Sequence, residues 1–384
     1  MAKKRSYKPV FTGLALCLTV LYFFTSYQRK QQYKRDYHLP KNQLLRELES
    51  NKDWKTQGLN FQPSLDTLTP TRWATSLESQ LALAFPYDAS AQFPRTIWQT
   101  WKVALDDPAF PKRYTNYQRT WDDHNPEYKH YVIPDEQCDY LVDELFRSTC
   151  PDVARAYQLL PKSIMKADFF RYLILFARGG VYSDIDTVNL KPVDTWVSNW
   201  EHYLGREQRA GIVVGIEADP DRPDWHEWYA RRIQFCQWSI QSKRGHPLLL
   251  RLIAKITELT LERDKRGTLH KVMGKDSGGD IMEWTGPGIF TDAVFDYINS
   301  LLSSSPMMMM NEHEGVRGRK VKEEVVDWKL FTGMTKPIAI DDVLILPITA
   351  FSPDVNQMGA KDSNDEQALV KHVFSGSWKD DNKV

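Results

Sequence analysis

The stretch Lys166-Ala-Asp-Phe-Phe-Arg-Tyr-Leu-Ile-Leu-Phe-Ala-Arg-Gly-Gly-Val-Tyr-Ser-Asp-Ile-Asp186 dictates a helix, a stop, a short strand and an acidic loop in immediate succession. From Ile164 to Phe176 the residues are apolar nearly all round, so the helix is expected to be buried, with Asp168 and Arg171 three apart on one of its faces. Gly179 and Gly180 end it, because a helix C-terminus favours a residue free to take positive φ. In the extended stretch that follows, Tyr182, Asp184 and Asp186 point to one side and Val181, Ser183 and Ile185 to the other. Two carboxylates then converge on one spot. They repel each other, and a divalent cation between them makes the arrangement tolerable; hard oxygen ligands suit Mg²⁺ or Mn²⁺, whose other positions the phosphates of a nucleotide-sugar can fill. A lone Asp-x-Asp is more often a solvated turn. The buried Asp/Arg helix, the Gly-Gly stop and the aligned Tyr favour the metal reading here.

The chain has 384 residues, 42% hydrophobic and 12% aromatic, enough for a sizeable core in one large or two ordinary domains. Fifty basic residues balance fifty acidic ones, so no overall field draws the protein to nucleic acid. The 13 Trp and 17 Tyr suit sugar faces as well as core packing. No cysteine pair has zinc-site spacing; Cys138 and Cys150 either bridge, if the body lies in an oxidising compartment, or remain thiols like Cys236.

A basic head over 1–9 precedes an apolar run over 10–27, barely long enough to span a bilayer and ending in Phe23, Phe24 and Tyr27 rather than a small-residue cleavage site. We therefore expect a cytosolic tail, a single transmembrane signal anchor and a luminal body, although basic residues flank the run on both sides. Residues 28–90 are polar and are expected to form a luminal stem. Residues 91–384 are expected to form the catalytic body, an α/β domain with a mostly parallel sheet, because apolar strands alternate with helical stretches. Within it, 303–326 has the composition of an exposed loop insertion, with four consecutive methionines and a charged run.

The run from Ala167 to Asp186 resembles the Asp-x-Asp region of glycosyltransferase family 32 and, more distantly, the large clostridial glucosylating toxins. Further blocks are similar to the fungal α-1,6-mannosyltransferases of that family: Ile97-Trp-Gln-Thr-Trp-Lys102, Gln234-Phe-Cys-Gln-Trp238, Gly245-His-Pro247, Ile281-Met-Glu-Trp-Thr-Gly-Pro-Gly288, Pro347-Ile-Thr-Ala-Phe-Ser-Pro353 and His372-Val-Phe-Ser-Gly-Ser-Trp378. Together they span nearly all of 93–379. The resemblance implies a GT-A fold, a Rossmann-like sheet binding its donor at the carboxyl ends of the strands.

It also implies roles for single residues, each with a plainer alternative. Asp184, Asp186 and Arg171 would be the catalytic set. Trp98 would stack on the nucleobase, or belong to the core. Asp168 and Arg171 would contact ribose and sugar, or form a structural ion pair, and Tyr182 would touch the donor, or pack on the sheet. His372 would complete the metal site with Asp184 and Asp186, its imidazole favouring Mn²⁺ over Mg²⁺, or be an ordinary surface histidine. Ser377 and Trp378 would close over the diphosphate. Glu283, Trp284, Gly286 and Pro287 would form an acceptor or sugar wall, or a turn and core. Glu217, Asp219 and Glu283 are possible helpers.

The implied donor is GDP-mannose and the acceptor an N-linked high-mannose glycan, with retention of configuration, an α-1,6 product and a single-pass type II address in the Golgi membrane. A glycosidase is disfavoured because acids two residues apart on one strand cannot flank a scissile bond. The remaining rival is a non-catalytic or weakly active GT-A subunit of a Golgi mannan-synthesising complex.

Overall fold

The computed structural model describes residues 41, 43–63, 76–272, 280–302 and 326–376. The anchor expected over 10–27, most of the expected insertion, Ser377 and Trp378 lie outside the described residues. No helix among the described residues is long and apolar enough to cross a membrane.

Twelve strands are present among the described residues: β1 (Leu59–Phe61), β2 (Thr96–Trp101), β3 (Lys129–Pro134), β4 (Gly180–Ser183), β5 (Thr187–Asn189), β6 (His202–Tyr203), β7 (Arg206–Glu207), β8 (Ile212–Ala218), β9 (Gln234–Ser242), β10 (Ile338–Ile340), β11 (Val343–Leu346) and β12 (Val370–His372). Eight form one sheet in the order β1-β10-β11-β8-β9-β4-β2-β3. β3, β2, β4, β8 and β11 run one way, whereas β9, β10 and β1 run the other. Four of the seven pairings are thus parallel, as expected in the main, and three are antiparallel. β9 enters between β4 and β8 antiparallel to both, which brings its first residues to the carboxyl ends of its neighbours. This α/β arrangement fits the GT-A fold.

Alternation along the strands feeds two apolar layers. Tyr182, Val343 and Ile345 face the larger one, Val181 and Leu344 the smaller. The larger layer is roofed by helices α1 (Pro151–Leu159), α2 (Ser163–Arg178), α3 (Pro247–Lys265) and α4 (Pro287–Leu301). From Asp168 to Ala177 every residue of α2 is buried, as its all-round apolar sequence dictates. Gly179 caps it at φ 69° and Gly180 follows at φ 103°. A Cβ on Gly180 would lie 2.4 Å from the Thr96 carbonyl oxygen, so only glycine lets β4 begin so close to β2.

The expected stem is partly folded into the body. β1 pairs with β10, Leu44, Leu59, Phe61, Leu81 and Phe85 are buried, and Tyr87 donates to Asp342 at 3.0 Å. Three strand residues are too few for a sequence period to reveal. The weighed Cys138–Cys150 bridge is not formed: both residues and Cys236 are separate buried thiols.

Candidate active site at the carboxyl edge of the sheet

α2 and β4 bring the sequence-predicted core of the site together. The Arg171 guanidinium lies 3.1 Å from Asp168 Oδ1 and 3.3 Å from Asp184 Oδ1, and 5.2 Å from the centre of the Tyr182 ring. The Tyr182 hydroxyl donates to Asp184 Oδ1 at 3.0 Å. Asp168 also accepts from Gln237 Nε2 at 3.2 Å and Thr285 Oγ1 at 3.1 Å. Burial pushes the Asp168 carboxyl up to about 7 against the pull of Arg171. Burial works against the Arg171 charge, but the surrounding carboxylates outweigh it and keep the guanidinium firmly protonated.

Asp186 sits one turn further on. β12 pairs antiparallel with β5, aligning His372 with Thr187, so the C-terminal segment returns across the acidic loop. His372 Nε2 lies 3.3 Å from Asp186 Oδ1 and 4.0 Å from Asp184 Oδ2. Ser375 donates to Asp186 Oδ2 from its backbone N–H at 2.9 Å and from Oγ at 2.7 Å, and Tyr114 meets the Ser375 hydroxyl at 2.9 Å. For Asp186 the burial penalty is outweighed by the bonds from His372 and Ser375, which hold its carboxyl well below the usual range. For Asp184 burial dominates; Arg171 opposes it, Asp186 adds to it, and the net shift is upward.

These residues fit a divalent cation. Asp184, Asp186 and His372 each offer one ligand atom, all within 4.8 Å of one another. Two buried donors at the site, Arg171 Nε and Trp238 Nε1, have no partner among the described residues, and the Trp238 ring lies 4.6 Å from that of His372. His372 Nδ1 accepts the Phe374 N–H at 2.9 Å, which leaves the proton on Nε2, the atom that faces the carboxylates. Ligation through Nε2 requires the other tautomer, with the proton on Nδ1 and the Phe374 N–H released.

Other expected residues lie elsewhere. The Trp98 indole donates to the Gly179 carbonyl at 2.8 Å, toward the amino end of β4, and stacks on Tyr131 with 5.0 Å between ring centres. Trp284 lines no wall. It is fully buried, donates to Thr260 Oγ1 at 2.8 Å and lies under the Arg263 guanidinium at 4.0 Å. Gly286 and Pro287 form the tight entry into α4, where a Cβ on Gly286 would meet the Met282 Cα at 2.8 Å. Glu283 is paired with Arg231 at 2.7 Å. Asp219 is buried and satisfied by Arg232 at 2.7 Å, Thr332 Oγ1 at 2.9 Å and the Gly333 N–H at 2.7 Å, which makes it an anchor rather than a helper. Glu217 accepts from Gln234 at 3.1 Å; burial pushes its carboxyl up to about 7, with the charges of His372, Arg171 and Asp184 also felt there.

Sequence reasoning gave no role to Gln237, Trp238, Thr285 or Ser375. Each falls inside a block that the resemblance singled out, which was the available signal.

A cavity of about 220 Å³ opens beside Thr100, Asp135, Asp139, Tyr157 and Ala167. Tyr182, whose hydroxyl lies 3.2 Å from Thr100 Oγ1, separates it from Asp184.

The sequence matches the family described as glycosyltransferase sugar-binding region containing DXD motif over residues 111–202, which include Asp184 and Asp186. It is 61% identical over 370 residues to the initiation-specific alpha-1,6-mannosyltransferase of Candida albicans, covering 96% of this chain and 93% of the relative. The chain belongs to the initiation-specific alpha-1,6-mannosyltransferase family. A second family member, the protein of that name from Saccharomyces cerevisiae, is 37% identical over 445 residues, covering 90% of this chain and 92% of its own. Among solved structures, the PaToxG glycosyltransferase aligns over 61% of this chain and 80% of its own at a TM-score of 0.35 and 17% identity, too loose a likeness to extend the family assignment.

Proposed function

We propose that this chain transfers mannose from GDP-mannose to an N-linked high-mannose glycan, forming an α-1,6 linkage with retention of configuration. The observation that carries the reading is the meeting of Asp184, Asp186 and His372 within 4.8 Å, beside the buried Arg171. This donor set fits Mn²⁺ better than Mg²⁺ because one ligand is imidazole. When bound, the cation supplies positive charge to the diphosphate of the donor.

The chain's own residues do the rest. Arg171, held by Asp168 and Asp184, keeps an unpartnered Nε for the anionic or hydroxyl groups of the donor. Gln237 and Thr285 fix Asp168, and with it the guanidinium. Ser375 and Tyr114 fix Asp186. The cavity by Thr100 takes the nucleoside. No protein nucleophile is needed: as GDP departs, the acceptor 6-hydroxyl attacks the same sugar face and gives its proton to a phosphate oxygen of the donor. We place the protein in the Golgi membrane as a type II protein held by residues 10–27, a reading supported by the apolar run and the basic head.

The test is transfer by the purified full-length chain from GDP-mannose to a high-mannose N-glycan with Mn²⁺, followed by linkage analysis of the product. Asp186→Ala and Asp184→Ala should each lower turnover at least a hundredfold. A folded wild-type chain that binds glycan yet forms no α-1,6-mannose would point to the subunit role instead.

A further inference from the structure

The loops leaving the carboxyl ends of β8 and β11 enclose a second, larger cleft of about 460 Å³, a size suited to a small ligand. Arg222, Trp228 and Tyr229 form one wall and Asn356, Gln357 and Met358 the other. We propose that this cleft is the acceptor subsite and that it grips the mannose arms of the glycan beside the transfer centre. The proposal rests on the transferase reading above.

Position is the first argument. The β8 strand that leads into one wall carries Glu217, which shares its surroundings with His372, Arg171 and Asp184. The other wall begins at Asp354, whose carboxylate accepts from Lys371 Nζ at 2.6 Å, one residue before His372. Both walls are therefore attached to elements that carry the site, on the flank away from the cavity by Thr100.

Chemistry is the second. Trp228 is 59% exposed, with the Arg222 guanidinium 5.7 Å from its ring centre. A large flat ring left open to water at the mouth of a polar cleft adds nothing to the core, but it packs well on the CH face of a hexose while amides and a guanidinium take the hydroxyls. Asp224 binds the Arg222 guanidinium through Nε and Nη2 and balances its charge, leaving Nη1 toward the cleft, which suits a neutral polyhydroxyl ligand.

Rigidity is the third. Asp354, Asn356 and Met358 all adopt positive φ, at 67°, 56° and 33°, and Gly359 follows at 79°. Non-glycine residues in this region are strained, and such strain persists where the surroundings enforce it, commonly at ligand sites. Here Gln357 enforces it: its amide donates to Tyr229 Oη at 2.6 Å and accepts the Asp219 N–H at 3.0 Å, locking the two walls together.

Trp228→Ala and Trp228→Phe in the full-length chain test this. Loss of the ring should raise KM for a high-mannose oligosaccharide about tenfold, the equivalent of one aromatic contact, with KM for GDP-mannose unchanged, and Trp228→Phe should recover most of the loss. A wild-type glycan KM in Trp228→Ala, or a parallel rise in donor KM, would overturn the assignment. Calorimetric titration of the same oligosaccharide into GDP-loaded protein reads the cleft independently of turnover. If wild type transfers nothing, weaker glycan binding by Trp228→Ala still supports the subsite, whereas equal binding removes it; the failure of transfer then counts against the proposed reaction alone.

Discussion

Glu217 and Asp186 lie on opposite sides of one balance. Both are carboxyls at the carboxyl edge of the sheet, yet Asp186 is held well below the usual range by His372 and Ser375, whereas Glu217 has, among the described residues, only Gln234 as a partner and rises to about 7. In the fold Glu217 keeps its proton up to about 7, in the unfolded chain only to its ordinary 4.5. Between these values the folded state binds more protons, so the burial of Glu217 costs stability increasingly as pH rises through that window. Glu217→Gln, which keeps the bond from Gln234, should therefore raise the metal-free melting stability by about 1–2 kcal/mol at pH 8 and by little at pH 5, as thermal melts in EDTA at both pH values would show. Equal gains at both values would mean that Glu217 is ionised throughout. Asp184, Asp186 and Arg171 were legible in the sequence because a buried Asp/Arg helix, a Gly-Gly stop and an acidic pair coincide there, whereas His372 entered only through the resemblance. Gln237, Thr285 and Ser375 were not legible, since neutral hydrogen-bonding residues are common everywhere and acquire their role only when the fold aims them.

The unit α2-Gly-Gly-β4 is the element whose sequence and structure agree most closely, because both stops in it are steric. Gly180 at φ 103° would bring a Cβ to 2.4 Å from a backbone carbonyl that has nowhere to move inside a paired strand. Gly180→Ala is expected to destabilise the protein by about 2–4 kcal/mol, read as a shifted urea midpoint, through an unfavourable φ and a forced separation of β2 from β4. Asp184 and Asp186 follow directly, so the surviving folded fraction should also bind Mn²⁺ more weakly. A substitution as mild as an exposed-loop change would show that β2 and β4 can part freely. Elsewhere the plainer alternative holds. Trp284 in Ile281-Met-Glu-Trp-Thr-Gly-Pro-Gly288, for which the resemblance implied a sugar wall or a turn and core, packs under Arg263 and into the helical layer, and its neighbour Thr285 is the residue that reaches the site. The direction of β9 was hidden, since a strand buried along its whole length on both faces, with glutamines and serines among its residues, has no pattern that depends on which way it runs.

The whole molecule is larger than its recognisable motifs. Those begin at Phe93, and a boundary at residue 91 looks natural from sequence; yet the sheet ends in β1 at Leu59–Phe61, and the preceding and following segments bury Leu44, Leu81 and Phe85. Burying a side chain of this size contributes about 1.5–3 kcal/mol, so five of them amount to roughly 10 kcal/mol, comparable to the roughly 5–15 kcal/mol that holds a typical domain together. Removing them would also uncover the edge of β10, which pairs with β1 along Ile338–Ile340, and deprive Asp342 of the Tyr87 hydroxyl in a buried cluster with His246 and Tyr297. A chain beginning at residue 91 should therefore fail to give a cooperative thermal transition and should aggregate, whereas a chain beginning at residue 41 should melt cooperatively, as circular dichroism of the two side by side would reveal. Equal melting of both would show that β1 and the helix at Leu77–Ala84 are accessories. Failure of the shorter chain alone would show that the segment preceding the motifs is a structural layer of the enzyme, because the strand order of the sheet is completed only from the N-terminal side.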